Sequence, residues 1–474
     1  MDVAQRVAKN TISLWSAQIV VEILKFLLTI FVARFLGDVI FGKYSFSLAF
    51  TAFFIIFSNL GYNTLLIREV AKDKSKAKKY LNNVLGIRLF LSVIVLFLII
   101  LLINLADYPS DTKIAVYLFG IYFILVSLSD VFKVTFRAFE IMEYEAIITI
   151  IANLIRVSFS IMILFFGYGL IEVALIFVLS EIIDFVISFV MCRKKITRFG
   201  LSIDTKFLKE TIKIVLPLSV LPIFSLIYVR ADTIMLSFLK GDAVVGWYNA
   251  AYNLVLGFKP VAHLFMTAVF PLMSAYYVSS KKSFINVFEK SFKYLFIIGL
   301  PTAVGITLLA DKLILLFYGT QYINSINALE ILSWDILLLF LSMCLSFVLI
   351  SINKQSSMAI IAGLSAFINV ILNLILIPTY SYLGAAVATI ASEAFLFVLY
   401  LIIVLRSKYI IPFHKIIIKP IIVSGIMAIF VFQFIYINLA LLITTSVLIY
   451  FGIMFVIKGF SEEDLKLIRG IIKK

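Results

Sequence analysis

Ionisable side chains interrupt several long apolar stretches of this sequence, and they are its first candidates for chemistry. A charge at bilayer depth is costly unless it is paired or hydrated, so each one is a candidate for function. Arginine offers phosphate a planar bidentate contact, and lysine offers a movable point charge. The cations that could hold a divided negative charge such as a pyrophosphate are Lys25, Arg230, Lys259, Arg88 and Arg34. For Arg88 and Arg34 the alternative is that the side chain extends to the nearer membrane surface.

Acidic residues and a histidine in the same stretches are candidates for taking up a coupling ion. A carboxylate in a membrane span can bind a proton or a sodium ion, and histidine titrates near neutral pH. A lone histidine in a helix is more often a packing residue, which is the alternative for His263. The candidates are Glu22, Asp232, Asp335, Glu393 and His263.

Some of these charges could instead have a purely structural role, as partners in ion pairs. Glu22 and Lys25 are three residues apart on one helical face and could neutralise each other. Arg156 could pair with Glu181 or Asp184 on the next predicted helix. A buried pair can hold helices together without contacting a ligand, so both interpretations stay open.

The sequence shows no pattern typical of an enzyme. It contains no G-x-x-x-x-G-K-[ST] phosphate loop, no metal-binding His/Cys spacing and no long extramembrane segment for an active site. Cys192 and Cys344 fall on different predicted helices, which argues against a disulfide framework. We therefore expect a non-enzyme without a cofactor or metal, driven by an ion gradient, the membrane potential or removal of product.

The elements that must position these side chains are membrane-spanning helices. Hydrophobic residues make up 63% of the 474-residue chain, against roughly 45–50% in soluble proteins. The mean hydropathy is +1.13. Runs such as 91–105 reach, with their flanks, the roughly 20 residues that span a bilayer. The predicted fold class is all-α integral membrane.

Apolar runs between polar breaks predict about fourteen transmembrane helices. They lie near 11–35, 44–66, 81–105, 113–136, 146–167, 170–192, 213–239, 246–277, 291–317, 326–352, 356–378, 383–405, 419–437 and 439–458.

Basic residues are concentrated in alternate connections between these helices. Residues 68–79 and 193–209 are rich in lysine and arginine, whereas the intervening connection 106–112 contains neither. This asymmetry follows the positive-inside rule and predicts both termini in the cytoplasm. It also accounts for the net charge of +15 without a nucleic-acid partner.

Two halves of the chain carry a weak internal repeat. Residues 37–44 and 241–248 share G-D-x-x-x-G-x-Y, and Ser180-Glu181 is echoed by Ser392-Glu393, at offsets of 204 and 212 residues. The first offset places Lys25 one residue from the position of Arg230. A pseudo-twofold pair of cations at similar depth would suit a divided negative charge.

The repeat divides the chain into predicted regions. Two six-helix lobes, 1–192 and 213–405, are related by a pseudo-twofold axis along the membrane normal. A cytoplasmic amphipathic linker, 193–212, joins them. Two further helices follow within 419–458, and an amphipathic cytoplasmic tail, 459–474, ends the chain.

Prolines interrupt three predicted helices. Each removes a helical hydrogen bond and bends the helix, and broken helices beside buried charge are typical of transport sites. Static kinks for packing are the alternative. The prolines are Pro217, Pro222, Pro260, Pro271 and Pro301.

Short blocks along nearly the whole chain carry a family resemblance. Together they look like the polysaccharide-transport, or O-antigen flippase, family of the multidrug/oligosaccharidyl-lipid/polysaccharide transporter superfamily. The blocks are NT at 10–11, ARFLG at 33–37, FGKYS at 41–45, LGYN at 60–63, IRE at 67–69, FRAFE at 136–140 with Tyr144, RAD at 230–232, GWYNAAY at 246–252, and FYG at 317–319 with Tyr322.

The resemblance implies a flippase in the cell membrane of a prokaryote. It implies two lobes around a cationic cavity that opens alternately to each side, and a cargo of oligosaccharide on a polyprenyl pyrophosphate or phosphate carrier. The cargo would move from the cytoplasmic to the outer leaflet. Lys25, Arg230 and Lys259 would then hold the phosphate and sugar head. Family cavities commonly use several arginines, whereas two of these three residues are lysines.

The resemblance also implies partners for this protein. They are the lipid-linked oligosaccharide, membrane lipid, a coupling proton or sodium ion, and glycan polymerases or glycosyltransferases. Three further functions fit the same topology. A multidrug and toxic compound extruder would favour acidic groups in its cavity, a lipid II flippase would differ in its sugar, and a scaffold of a glycan assembly complex would transport nothing.

Overall fold

Helices make up all the regular structure in the described part of the chain. A computed structural model describes the backbone of residues 3–460 and the side chains of residues 16–460. Within these limits no strand is present, which confirms the all-α fold class. The predicted amphipathic tail lies, from residue 461 onward, outside the described residues.

Fifteen α-helices and two short 3-10 turns follow one another along residues 3–460. The helices are α1 (Val3–Asn59), α2 (Tyr62–Lys72), α3 (Ala77–Leu105), α4 (Ser110–Ala138), α5 (Met142–Phe165), α6 (Leu170–Lys195), α7 (Thr205–Lys240), α8 (Asp242–Leu256), α9 (Lys259–Ser279), α10 (Lys281–Leu308), α11 (Ala310–Phe317), α12 (Ser325–Ser351), α13 (Gln355–Arg406), α14 (Phe413–Gln433) and α15 (Leu439–Val456). The 3-10 turns are Lys74–Lys76 and Thr320–Tyr322.

The number of apolar helices agrees with the fourteen predicted segments. In the described residues, eleven helices are long and apolar enough to cross a membrane, with α8 and α9 counted as one. Helix α13 is two helices joined at Ser381 (φ 55°, ψ −135°), and α1 is likewise divided at Gly37 (φ 77°, ψ 173°). Helix α1 is not among the eleven, so its two parts, together with the extra helix from the division of α13, bring the number in residues 3–460 to the predicted fourteen.

The second predicted helix, 44–66, differs from the structure at its end. Helix α1 stops at Asn59, because Leu60 (φ 41°) and Gly61 (φ 78°) leave the helical region. The chain then starts the separate helix α2, which the hydropathy pattern did not predict because it is amphipathic and only 11 residues long.

The predicted amphipathic linker, 193–212, is helical at both ends, where it belongs to α6 and α7, and non-helical between them. Residues 196–204 are non-helical and run against the start of α3. Asn82 Oδ1 accepts from the Gly200 N–H at 2.8 Å, and Asn83 Oδ1 accepts from the Asp204 N–H at 2.8 Å. The two asparagine side chains of α3 accept from backbone N–H groups that would be hydrogen-bonded within the segment if it were helical. The connection can therefore remain non-helical.

Packing divides the chain into two compact units. The first unit is Met1–Asn249 with Asn373–Tyr382, and the second is Ala250–Leu372 with Leu383–Lys474. The predicted lobes are defined by sequence repetition instead of by packing, and their boundaries stay a prediction.

The last two helices are tied to α10 of the second unit by a buried hydrogen bond. The Tyr450 hydroxyl of α15 donates to the Ile297 carbonyl of α10 at 2.9 Å, and Tyr450 is 1% exposed. Lys312 donates to the carbonyl of Ile435, beyond the end of α14. The two additional helices are therefore integral to this unit. The buried side chains of the apolar cluster around Tyr450 include Val423, Met427 and Leu442.

Tyr450→Phe tests this attachment. Loss of a buried hydrogen bond typically costs about 1 kcal/mol, so we expect the free energy of unfolding to fall by about that amount. The measurement is thermal unfolding of the purified protein in detergent. Tyr436→Phe is the matched control, because Tyr436 is 97% exposed. Equal stability of the two variants would contradict the structural role of this bond.

Candidate functional site

The two copies of the G-D-x-x-x-G motif adopt the same backbone conformation. Gly37 has φ 77° and ψ 173°, and Gly241 has φ 88° and ψ 178°. This region is accessible almost only to glycine. Each glycine bends the chain immediately before a new helical segment, so the repeat is present in the fold and not only in the sequence.

The second glycines of the two copies make a reciprocal contact inside the first unit. A Cβ placed on Gly42 would lie 1.8 Å from the Asp242 carbonyl oxygen, and one on Gly246 would lie 2.1 Å from that of Asp38. Trp247 Nε1 adds a hydrogen bond to Asp38 Oδ2 at 2.8 Å. Each copy therefore packs its glycine against the backbone of the other, as a pseudo-twofold relation requires. We call this reciprocal contact of Gly42 and Gly246 the glycine crossing.

Polar and aromatic side chains reinforce this crossing. Lys43 Nζ lies 2.6 Å from Asp111 Oδ2. The Tyr108 hydroxyl is 2.9 Å from Ser237 Oγ, and the Tyr108 ring stacks on Phe46 with centroids 4.6 Å apart. The connection between α3 and α4 is thereby fixed to the first motif copy and to residues that flank both copies.

Lys25 and Glu22 form the ion pair that their spacing allowed. Lys25 Nζ lies 3.2 Å from Glu22 Oε1, which also accepts from Gln18 Nε2 at 2.9 Å. The side chains stay 53% and 36% exposed, so the pair is weakly held and open to exchange. The part of Lys25 in substrate binding and of Glu22 in ion coupling stays a prediction.

Arg230 and Asp232 lie in the last three turns of α7 in the first unit. Asp232 is 1% exposed and accepts from the Tyr248 hydroxyl at 2.7 Å and from Asn373 Nδ2 at 2.5 Å. Arg230 is half-buried. Their roles in substrate and ion binding stay predictions.

Arg88 is enclosed in a polar network at the junction of α1 and α2. It is 0% exposed and donates to the Ser127 carbonyl and, at 2.5 Å each, to Asn59 Oδ1 and Asn63 Oδ1. Asn63 Nδ2 donates in turn to Asp130 Oδ2 at 2.7 Å. The network joins the end of α1 to the start of α2. A contact of Arg88 with substrate stays a prediction.

The remaining predicted site residues are distributed along four helices. Arg34 is exposed on α1. In the second unit, Lys259 begins α9 and is exposed, and His263 is exposed with its ring 6.3 Å from that of Phe347. Asp335 on α12 and Glu393 on α13 are buried, at 3% and 8% exposure. Their predicted roles, substrate binding for the two cations and ion coupling for the other three residues, stay predictions.

The prolines break one helix and lie inside others. Pro260 is in the first turn of α9, and the helix predicted over 246–277 is interrupted between Leu256 and Lys259. Pro217 and Pro222 lie inside α7, Pro271 inside α9 and Pro301 inside α10.

The ion pair predicted for Arg156 is present beside a second pair that the sequence did not predict. Arg156 Nη2 lies 2.8 Å from Glu181 Oε2. Lys133 of α4 lies 2.7 Å from Asp184. The sequence feature that could have indicated this pair is the presence of a lysine, Lys133, inside an apolar helix. Within residues 16–460, no three His, Cys, Asp or Glu side chains are grouped to hold a metal ion.

Two family models match this chain. The family model described as polysaccharide biosynthesis protein matches residues 7–277, which is more than half of the chain. This chain belongs to that family. A second family model, MatE, matches residues 217–375. The matches confirm the resemblance to a polysaccharide-transport family of this superfamily.

Individual relatives extend the comparison. The capsular polysaccharide biosynthesis protein CapF of Staphylococcus aureus is 23% identical over 389 residues, covering 81% of this chain and 96% of CapF. The probable low-salt glycan biosynthesis flippase Agl15 of Haloferax volcanii is 24% identical over 168 residues, covering 35% of this chain and 36% of Agl15.

A solved structure shares the fold over almost the full chain. The lipid II flippase MurJ, in an inward closed conformation, matches with a TM-score of 0.79 at 18% identity and covers 94% of this chain and 99% of that chain. The protein is therefore a multi-pass membrane protein with the fold of this superfamily.

Gly246→Ala tests the reciprocal crossing. The added Cβ would meet a backbone carbonyl that cannot move alone, so we expect a loss of about 1–3 kcal/mol in stability. Thermal unfolding in detergent measures it. The control is Gly425→Ala in α14, where nothing lies within 4 Å of the added Cβ. The control should be neutral or stabilising, by up to about 1 kcal/mol. Equal effects of the two substitutions would refute the close contact.

Proposed function

We propose that this protein is a flippase that moves a polyprenyl-(pyro)phosphate-linked oligosaccharide from the cytoplasmic to the outer leaflet by alternating access. The observation that carries the proposal is the presence of Lys25 and Arg230 inside apolar helices of a chain that belongs to a polysaccharide biosynthesis family. Relatives named as flippases support transport over catalysis.

The exposed pair of Lys25 and Glu22 suits a ligand that carries more than one negative charge. Glu22 offers Lys25 one contact, at 3.2 Å, on a partly exposed helix face. A phosphate group offers more oxygen atoms and more charge, so it can displace the carboxylate. Arg230 would add a bidentate contact. For Lys259, the proposal rests on the sequence alone.

Asp232 is the residue we propose for ion coupling. It is buried, and hydroxyl and amide groups donate to it from Tyr248 and Asn373. A buried carboxylate can exchange a proton or a sodium ion as its surroundings change. The membrane potential would act on the same charge.

The basic connections support an orientation with both termini in the cytoplasm of a prokaryotic cell. Lys72 and Lys76 between α2 and α3 are exposed, with 65% and 51% of the side chain accessible. The Ser75 hydroxyl and backbone N–H donate to Asp73 and hold the pKa of that carboxyl below its usual range. Glycan polymerases or glycosyltransferases on this side are the proposed protein partners.

A multidrug extruder is the second candidate, because the MatE model matches residues 217–375. Such a protein would bind cations and would not need Lys25 or Arg230. A lipid II flippase differs from the main proposal only in the sugar that the carrier holds.

Lys25→Ala combined with Arg230→Ala tests the main proposal. Charged hydrogen bonds are worth about 1.5–3 kcal/mol each, so we expect at least about a tenfold lower flipping rate. The measurement is translocation of a fluorescent lipid-linked oligosaccharide in vesicles that contain the purified protein. Lys72→Ala, whose side chain is 65% exposed at the end of α2, is the matched control and should keep the full rate.

The same vesicles distinguish the candidate functions. Failure of the unmodified protein to move any such lipid, under proton, sodium or voltage gradients, would refute the proposal. Efflux of a cationic dye that increases in Arg230→Glu would favour the extruder. Movement of lipid II alone would identify the third candidate.

Asp232→Asn tests the coupling residue. We expect uphill transport to be lost while equilibration of the lipid between leaflets continues, because the variant cannot gain or lose the coupling charge. Asp73→Asn, in the exposed turn before α3, is the control. Uphill transport by Asp232→Asn at the normal rate would exclude this residue as the coupling site.

A further inference from the structure

Two buried ion pairs lie one turn apart on α6. Glu181 pairs with Arg156 of α5, and Asp184 pairs with Lys133 of α4, at 2.8 and 2.7 Å. The four side chains are between 2% and 13% exposed. Their formal charges cancel, which permits burial of the set. The proposed function uses none of them.

Arg156 holds several partners besides Glu181. Its Nε donates to Ser180 Oγ at 3.0 Å, and its Nη1 donates to Asn153 Oδ1 at 3.2 Å. The guanidinium carbon also lies 4.8 Å from the centre of the Tyr122 ring. These groups are neutral and remain in place if Glu181 loses its charge. A neutral Glu181 would still offer Nη2 a carbonyl oxygen.

Ser129 provides an acceptor for a proton on Glu181. Its Oγ lies 3.2 Å from Glu181 Oε1 and 2.8 Å from the Leu125 carbonyl oxygen. When Glu181 is ionised, the single hydroxyl hydrogen has two competing acceptors. When Oε1 carries a proton, that O–H can donate to Ser129 Oγ while Ser129 donates to Leu125. Both states use the same heavy atoms.

Asp184 lacks this freedom. Lys133 donates to Asp184 Oδ2, and Ser188 Oγ donates to Asp184 Oδ1 at 3.1 Å. Asp184 is the only acceptor that the described residues give to Lys133. A proton on Asp184 would therefore leave a buried ammonium group without a charged partner, which is costly.

From these contacts we infer that Glu181 is a proton-binding site inside the first unit, taking up and releasing one proton while its partners remain hydrogen-bonded. Proton uptake changes the charge of the four-residue set from zero to plus one. It also replaces an ion pair between α5 and α6 by a hydrogen bond from the Arg156 guanidinium to an uncharged carboxylic acid, so the packing of these two helices becomes dependent on pH.

The charges around Glu181 act in opposite directions. Asp184 favours the protonated form, whereas Arg156 and Lys133 favour the ionised form. Helices α1, α4 and α5 pack against α6. The titratable and charged groups that these helices and α6 itself present to the site are Tyr44, Tyr122, Lys133, Arg156 and Asp184.

Infrared spectroscopy of the full chain in lipid nanodiscs tests the site without any substrate. As the pH falls, the unmodified protein should gain a carboxylic-acid C=O band that is missing from the spectrum of Glu181→Gln. The bands of other carboxyls, Asp232 included, are common to both proteins and cancel in the difference between the two spectra. Glu145→Gln is the matched control, because Glu145 is also a buried glutamate of this unit and pairs with Arg137. The control should keep the band.

Two results would overturn the inference. They are spectra of the unmodified protein and of Glu181→Gln that gain the same carboxylic-acid bands as the pH falls, or a Glu181→Gln variant that does not fold. Failure to fold would count against the inference, because the inference requires that a neutral side chain at position 181 keeps its hydrogen bonds. A failed proposal of sugar transport would leave this experiment unaffected.

A double variant separates the two carboxylates. Lys133→Gln with Asp184→Asn removes the neighbouring pair and keeps the set neutral. We expect the band to remain, because Glu181 and Arg156 are unchanged. Loss of the band in the double variant would assign the proton to Asp184 and refute the assignment to Glu181.

Discussion

A charge inside a hydrocarbon layer has to be paired or hydrated, and this constraint separates the ionisable residues of the chain into two groups. Arg156 and Lys133 have carboxylate partners within 2.8 Å and are largely buried. Lys25 has a partner at 3.2 Å but remains half-exposed. Charges of the first kind organise helix packing, whereas a charge of the second kind can exchange its partner for a ligand.

The glycine crossing shows how the repeat is used in the fold. Two short motifs, 204 residues apart, place Gly42 and Gly246 against each other's backbone carbonyls. A side chain at either position would overlap an oxygen atom that is fixed by a helix end. The close approach also explains why Trp247 can reach Asp38, so one steric requirement determines both the packing and the polar contact.

The family match and the buried charges support one another without being the same argument. Membership of a polysaccharide biosynthesis family is the basis of the proposed cargo, whose anionic head group Lys25 and Arg230 would hold. The paired charges on α6 are independent of that cargo, because they are enclosed by protein. Transport and proton binding can therefore be tested separately in the same molecule.

The sequence by itself determined the helical class, the approximate bounds of the spans and the existence of the repeat, because hydrophobicity and chain order are local properties. It also placed Glu22 beside Lys25, since residues three apart share a helix face. Only the tertiary structure decided that Arg88 is enclosed and that Lys133 pairs with Asp184. Such contacts join residues far apart in the chain, and their choice depends on which helix faces meet.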